Sequence, residues 1–522
     1  MGQRFRRFLL GIEGGTIAIL VSYAIRYYVG GVFLPEVAVN ALVTQTPGAV
    51  ESVLVAHLQY LAKYSALAGA IGINLVVYGV IGYVVIGNFG RGSFAERVST
   101  YSLIAYGVSL AIAVLLLALT QVLSTPQSPQ TVLLSLVLSQ LAFGLVLAAR
   151  DRSILPPAKV ICEPIEPVPQ SKPRFIRKRR LFIKAGIASA VAGVLLYYGV
   201  NLLFSKPSGN LPDTVSTLYN QEVTPNDKFY RVDVDILPPN VDAKTWSLRV
   251  SGMVDNPLAL TYDQLESMNT VEQYNTLECV SNEIGGDLIS TAKWKGAKLK
   301  DVLQMAQVRQ GATYVVFKAA DGYDVGIPMD RALLDGTLLS FEMNGQPLPQ
   351  EHGFPVRAIV PGLYGMMNCK WVTGIEVVNE TYQGYWQRRG WANDAEYHTG
   401  SEIVMPGASQ IDDRFNIAGN SQVPLGMVPI AGLAFAGDRG IEKVEVSTDN
   451  GKTWVPASIK DPLSNYTWVI WTAEWNPPIT GDYRIAVRAT DKTGVVQTAA
   501  MVAPFPNGAT GYHVVDIGVV SS

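Results

Sequence analysis

Apolar residues fill the first two hundred positions in long, almost unbroken runs; beyond them the pattern shortens to alternating stretches separated by turns. Residues 8–33 are apolar apart from Glu13 and Arg26, and 65–87 carries no charge. Residues 98–149 are also uncharged and too long for one helix, since about 20 residues cross a bilayer. Pro126 and Pro129 divide that run into helices near 100–123 and 131–149. A fifth span, 181–204, follows a basic stretch. The pattern therefore predicts about five transmembrane helices ahead of a soluble half.

In the soluble half, strands are expected at 226–234, 246–252, 271–277, 313–320 and 323–328, with short helices at 262–268 and 299–306. From about Ser409 the texture becomes all β: 430–435, 441–448, 454–459, 467–471 and 483–490, with a hairpin signal at Asp449-Asn450-Gly451. Five or more short strands in that length predict an immunoglobulin-like sandwich.

Loop charges orient the spans. Arg4, Arg6 and Arg7, then Arg91 and Arg97, then the run from Arg150 to Arg180 all fall on one side if the N-terminus is cytoplasmic. The opposite loops hold only Glu36, Glu51, His57 and Lys63. Five spans then place everything after Phe204 outside the cytoplasm. Arg179-Arg180-Leu181-Phe182 fits the twin-arginine export pattern, a route for folded proteins; an ordinary positive-inside flank is the alternative, and both give one topology. Glu13 and Arg26 read either as functional intramembrane charges or as an interfacial pair.

Composition narrows the function. The 522 residues carry a net charge of −2, which excludes the basic excess of a nucleic-acid binder. Mean hydropathy is +0.20, and the membrane half is its cause. Three cysteines form no disulfide framework. A single histidine, His57, precedes residue 352, so bis-histidine haem is not predicted. Cys279 ends an expected strand and opens the polar loop Ser281-Asn282 to Gly285-Gly286. A thiolate so placed faces a cleft and suits a soft redox metal; the alternative is a buried small hydrophobe. His352 and Arg357 flank the rigid turn Gly353-Phe354-Pro355, which fixes two donors for a phosphate-bearing ligand.

Residues 276–303, 341–357 and 370–371 resemble the sulfite oxidase family of molybdopterin enzymes, and the likeness runs from about Asn226 to the C-terminus. The resemblance implies a molybdenum–molybdopterin cofactor whose metal is ligated by Cys279 and cycles between Mo(VI) and Mo(IV) in oxygen-atom transfer. It implies cofactor contacts from Phe229, Tyr230, Arg231, Asn282, His352, Arg357, Asn368, Cys369 and Lys370, with Cys369 reading as packing rather than as a ligand. Arg231, Trp294 and one of Tyr382 and Tyr385 are implied at the reacting centre. The implied partners are a small-molecule substrate, a separate electron carrier (a cytochrome or quinone-linked protein), the membrane, and a second copy through a dimerisation-type domain.

The expected organisation is then a four-helix transmembrane region at 1–150, a cytoplasmic linker at 151–180, a fifth helix at 181–204 and an outer tether at 205–225. An α+β catalytic domain follows at 226–405, and the immunoglobulin-like domain at 406–522. The sequence departs from the family at Ile284, where an arginine is usual, and over 504–513, which contains none. Met366 or Met367 likewise replaces an arginine. Losing such cations weakens the case for sulfite, each charge-assisted bond being worth ~1.5–3 kcal/mol. A sulfoxide-type reductase, and in another class a cofactor-free binding module, are the alternatives.

Overall fold

The computed structural model describes residues 3–90, 92–120, 129–151, 215–235, 237–407, 414–415 and 421–521. The linker from residue 152 with its twin-arginine run and Cys162, the span 181–204 and most of the tether lie outside the described residues. Helices α1 (Gln3–Val29), α2 (Leu34–Gln45), α3 (Gly48–Phe89), α4 (Phe94–Thr120) and α5 (Pro129–Arg150) form the apolar half. Among the described residues, four segments are long and apolar enough to cross a membrane: Gln3–Val29, Lys63–Phe89, Phe94–Leu116 and Gln130–Arg150. Ile73, Leu103 and Leu115 point outward, where lipid rather than water suits them.

Gly82 meets Gly11 where α3 crosses α1: a Cβ on Gly82 would lie 2.4 Å from the Gly11 Cα, so two small residues allow the backbones to touch. The two charges expected in the first span do not pair with each other. Arg26 binds Glu36 at 2.8 Å and Glu13 binds Arg150 at 2.7 Å. At 42 residues α3 is roughly 60 Å long, about twice the hydrocarbon thickness. Its first third therefore precedes the apolar stretch.

The middle of the chain contains β1 (Ser247–Gly252), β2 (Leu258–Thr261), β3 (Thr270–Glu278), β4 (Ile289–Lys298), β5 (Tyr314–Ala319), β6 (Asp324–Pro328), β7 (Leu338–Met343), β8 (Gln346–Pro347), β9 (Arg357–Ile359) and β10 (Val372–Val378). They form two sheets, ordered β2-β1-β10-β5-β6 and β3-β4-β7-β8, with β9 on β7. The helix Leu299–Ala306 appears where the sequence predicts it and buries Leu299, Val302, Leu303 and Ala306. That spacing is one apolar face of a helix.

The strand expected at 226–234 is absent: the segment runs as turns and coil. Its backbone groups are engaged elsewhere. Tyr230 N donates to Ser290 Oγ at 3.1 Å, and the Asp233 and Val234 carbonyls accept from Lys63 Nζ, the second at 3.3 Å. No ladder can use groups already spent on side chains.

The C-terminal part has two sheets. One is β11 (Gly400–Met405), β13 (Val428–Phe435), β17 (Val469–Trp475) and β16 (Ser458–Ile459). The other is β12 (Gln422–Pro424), β19 (His513–Val520), β18 (Gly481–Asp491), β14 (Ile441–Ser447) and β15 (Val455–Pro456). Ile430 and Trp471 from the first share a core with Val446 and Val487 from the second. The expected strand 454–459 is split between the sheets as β15 and β16. Pro456 ends β15 with no N–H to extend a ladder.

Candidate active site

The β3–β4 hairpin presents Cys279. Glu278 pairs with Ile289 at its open end, and Cys279 N donates to Leu288 O at 2.9 Å, closing the loop 279–288. Asn282 holds that loop from inside: its side chain accepts from Leu288 N at 3.0 Å and donates to Glu278 at 2.9 Å. Asn282, expected as a cofactor contact, shapes the loop and does not line the cleft. The Cys279 thiol lies 3.0 Å from Ser281 Oγ and faces a cleft. Burial pushes this thiol up, so only a cation or metal would hold it as thiolate at neutral pH.

Arg357 enters the same cleft from the start of β9. Its guanidinium donates to the His352 carbonyl at 3.3 Å and sits 5.3 Å over the Trp294 ring, while Nε has no hydrogen-bond partner among the described residues. Burial lowers its pKa to about 10, and no acid pairs with it among the described residues. A desolvated, unpaired cation is costly, and a bound phosphate or dithiolene-bearing anion would offset that cost. The donor set fits a molybdopterin: a cleft-facing thiol for the metal and an uncompensated arginine for the anionic cofactor.

His352 lines the cleft and its Nε2 lies 2.7 Å from the Asn226 carbonyl. Burial lowers its pKa to about 4, so it is neutral. Arg231 and Lys370 also line the cleft and share one carboxylate, Asp233. Tyr230 reaches in because position 365 is glycine: a Cβ there would lie 2.2 Å from the Tyr230 hydroxyl. Asn368 borders the cleft, yet its amide accepts from Val360 N at 2.7 Å and donates to the Leu363 and Tyr364 carbonyls at 3.1 Å, stapling its own loop.

Other expected residues stand back. Trp294 is fully buried beneath Arg357, donates to Asn275 O at 3.3 Å and does not line the cleft. Phe229 packs edge-on against Trp294 at 5.7 Å and is likewise behind the wall. Cys369 is buried, its thiol donates weakly to the Lys370 carbonyl at 3.6 Å, and it does not line the cleft. Tyr382 donates to Asp324, whose carboxylate also takes two bonds from Arg388. Tyr385 is 3% exposed, its hydroxyl has no hydrogen-bond partner among the described residues, and its ring centre lies 5.7 Å from that of the cleft-lining Tyr323. Of the two tyrosines, Tyr385 is the one against the cleft wall.

The cleft also holds residues that sequence reasoning missed. Asp321 and Tyr323 come from the turn before β6, and Trp386 and Trp391 from the loop after β10. Glu51 comes from the first turn of α3. Burial raises both carboxyls, Asp321 and Glu51, to about 7. The α2–α3 region docks through Asn40, whose amide donates to Asp235 at 2.7 Å, and through Lys63. Asp321 had a faint signal, an Asp-Gly turn between strands; Glu51 had none.

Residues 235–386 match the family model of the oxidoreductase molybdopterin binding domain, and 396–517 that of the Mo-co oxidoreductase dimerisation domain. Mitochondrial sulfite oxidase of Rattus norvegicus is 33% identical over 322 residues, covering 55% of this chain and 59% of its own length. An uncharacterised oxidoreductase of Bacillus subtilis, YuiH, is 33% identical over 187 residues, covering 36% of this chain and 88% of its own. The sulfane dehydrogenase SoxCD of Paracoccus pantotrophus superposes with a TM-score of 0.49 at 21% identity, over 57% of this chain and 84% of that one.

Proposed function

Because the chain belongs to the sulfite oxidase family of molybdopterin oxidoreductases, we propose that it is a membrane-anchored enzyme catalysing oxygen-atom transfer on a small molecule outside the cytoplasm. One observation carries the reading: Cys279 and the acid-free Arg357 face a single cleft. Cys279 would hold the molybdenum, and Arg357, with His352 and Lys370, the pterin and its phosphate. Bound there, the cofactor supplies two-electron chemistry at the metal. The chain's residues bind, orient and exclude water. Neutral His352 donates or accepts a hydrogen bond without adding charge, and Tyr385 offers a phenol proton beside Tyr323.

The side of the membrane rests on the positive-inside distribution of arginines and on the twin-arginine run. The family's dimerisation domain supports a homodimer built on an immunoglobulin-like sandwich, and a separate cytochrome or quinone-linked carrier would take or give the electrons. The missing arginine at Ile284 favours a substrate less charged than sulfite, such as a sulfoxide in the reductive direction. The test is elemental: full-length protein extracted from its native membrane should hold one molybdenum per chain, and Cys279→Ser should hold none. Metal-free native protein, or a Cys279→Ser variant with full turnover, would end the proposal. Protease access to the exposed hairpin turn at Lys452 from the outer face of sealed vesicles tests the topology.

A further inference from the structure

The loop that presents Cys279 is gripped from outside its own hairpin. Residues 279–288 turn back through Gly285 and Gly286, and the C-terminal sheets supply groups that meet both glycines. Arg414, which follows β11, donates from Nη1 to the Gly286 carbonyl at 3.4 Å. The same guanidinium is held by Glu402 of β11 through two bonds, at 3.1 and 2.5 Å. Both side chains are buried. His513 of β19 lies against Gly285: a Cβ there would be 2.4 Å from the ring Nε2, and φ is +75°. That ring is fixed from behind, because Ile403 N donates to its Nδ1 at 2.9 Å. At the base of the loop, Glu278 N donates to the Tyr397 hydroxyl at 3.2 Å.

A two-bond pair between arginine and carboxylate fixes the guanidinium plane, so the direction of the third bond, to Gly286, follows from the pair. Net stability does not explain it, since a buried ion pair is often replaced by apolar residues without loss. What the pair does is hold Gly286, and Gly286 is tied to the thiol. A Cβ on Gly286 would lie 2.5 Å from Asn282 Oδ1, and Asn282 N donates to the Cys279 carbonyl at 3.0 Å. A shift at Gly286 therefore reaches the Cys279 backbone through one residue. Groups that orient a metal's ligand tune the metal as well.

We propose that Arg414 is a positioning residue: mounted on Glu402 and flanked by His513, it clamps the Cys279 loop and sets the direction from which the thiol meets its metal. The C-terminal domain thereby takes part in the chemistry of the site. The proposal rests on Cys279 being the molybdenum ligand and goes beyond that reading by naming what aims it.

The experiment uses full-length, detergent-solubilised holoenzyme: wild type, Arg414→Lys, the double variant Arg414→Met with Glu402→Leu, and Arg488→Met as control. The double variant removes both charges together, so no buried charge is stranded. Arg488 pairs with Glu445 on the other C-terminal sheet, at 3.0 Å. Molybdenum content is measured first, then hydrogen exchange of the 279–288 peptide, then the electron paramagnetic resonance of the half-reduced metal, then kcat and KM with artificial carriers. The double variant should exchange its loop about tenfold faster, shift the resonance and lower kcat severalfold at unchanged KM. Arg414→Lys should lie between it and wild type, and Arg488→Met should match wild type in loop exchange and resonance. An unchanged resonance or unchanged loop exchange in the double variant, or an equal change in Arg488→Met, overturns the inference and leaves the enzyme assignment standing. Molybdenum-free wild type removes the assignment itself. If the double variant loses its molybdenum, Arg414→Lys decides, and wild-type resonance and exchange there overturn the inference.

Discussion

The Arg357 guanidinium lies 5.3 Å over the indole of Trp294, and this aromatic face stands where a buried arginine would ordinarily meet a carboxylate. The cation is stabilised by a ring quadrupole that leaves its donors available. Arg357→Met should therefore cut retained pterin more than tenfold without unfolding the protein. Fluorescence of the oxidised pterin released from equal amounts of protein checks this, with thermal melting as the control. Arg357→Lys should retain an intermediate amount, because an ammonium keeps the charge but not the planar fork.

Asp233 is the shared anion for Arg231 and Lys370. Replacing it with Asn leaves two neighbouring cations with one neutral amide between them. Asp233→Asn should cost about 3 kcal/mol of stability, the usual scale for breaking a buried pair from one side. A clear fall in Tm in detergent is the readout; a melt matching wild type would show that the cluster is solvated.

His352 sets a pH dependence. Its folded pKa is lowered from 6.5 to about 4 by burial, so below pH 6.5 the unfolded chain binds the proton that the native chain refuses. Stability should fall as pH drops from 6.5 towards 4 and level off below that. Glu51 and Asp321, both raised from their ordinary values to about 7, act in the opposite sense: their contribution shrinks as pH rises toward 7. Comparing Tm against pH for wild type and His352→Gln isolates the histidine, and the variant should show a flatter acid limb.

Much of this architecture was legible in the chain. Cys279 at the end of a strand, Arg357 and His352 around a turn, and the four described apolar helices all follow from local pattern, which is where secondary structure and turn chemistry are encoded. Trp294 and Asn282 stand back from the cleft for a different reason. A residue type in a strand or loop does not say which face meets the cleft, and both turned inward to support it. Glu51 was illegible because the cleft residues it joins, such as Trp391, lie far away in the sequence. At the head of a membrane helix, a carboxylate reads as an interfacial anchor. The segment 226–234 failed as a strand because Lys63 and Ser290, not another strand, take its backbone groups.

Asn40 tests the docking of the two halves. Its amide donates to the buried Asp235, so Asn40→Leu should strand a carboxyl and loosen the α2–α3 region from the segment it holds. Faster limited proteolysis between 231 and 240 would be the expected sign, at unchanged helical content.

That docking has a consequence for how the molecule is made and handled. The first third of α3 is synthesised long before the Cys279 loop, yet it supplies one side of the chamber that the loop opens into. The chamber is therefore finished only when both arrive at the same face of the bilayer. A fragment shorn of its anchor for convenience would be a cup with a missing pane, and rates measured on it would belong to a different vessel.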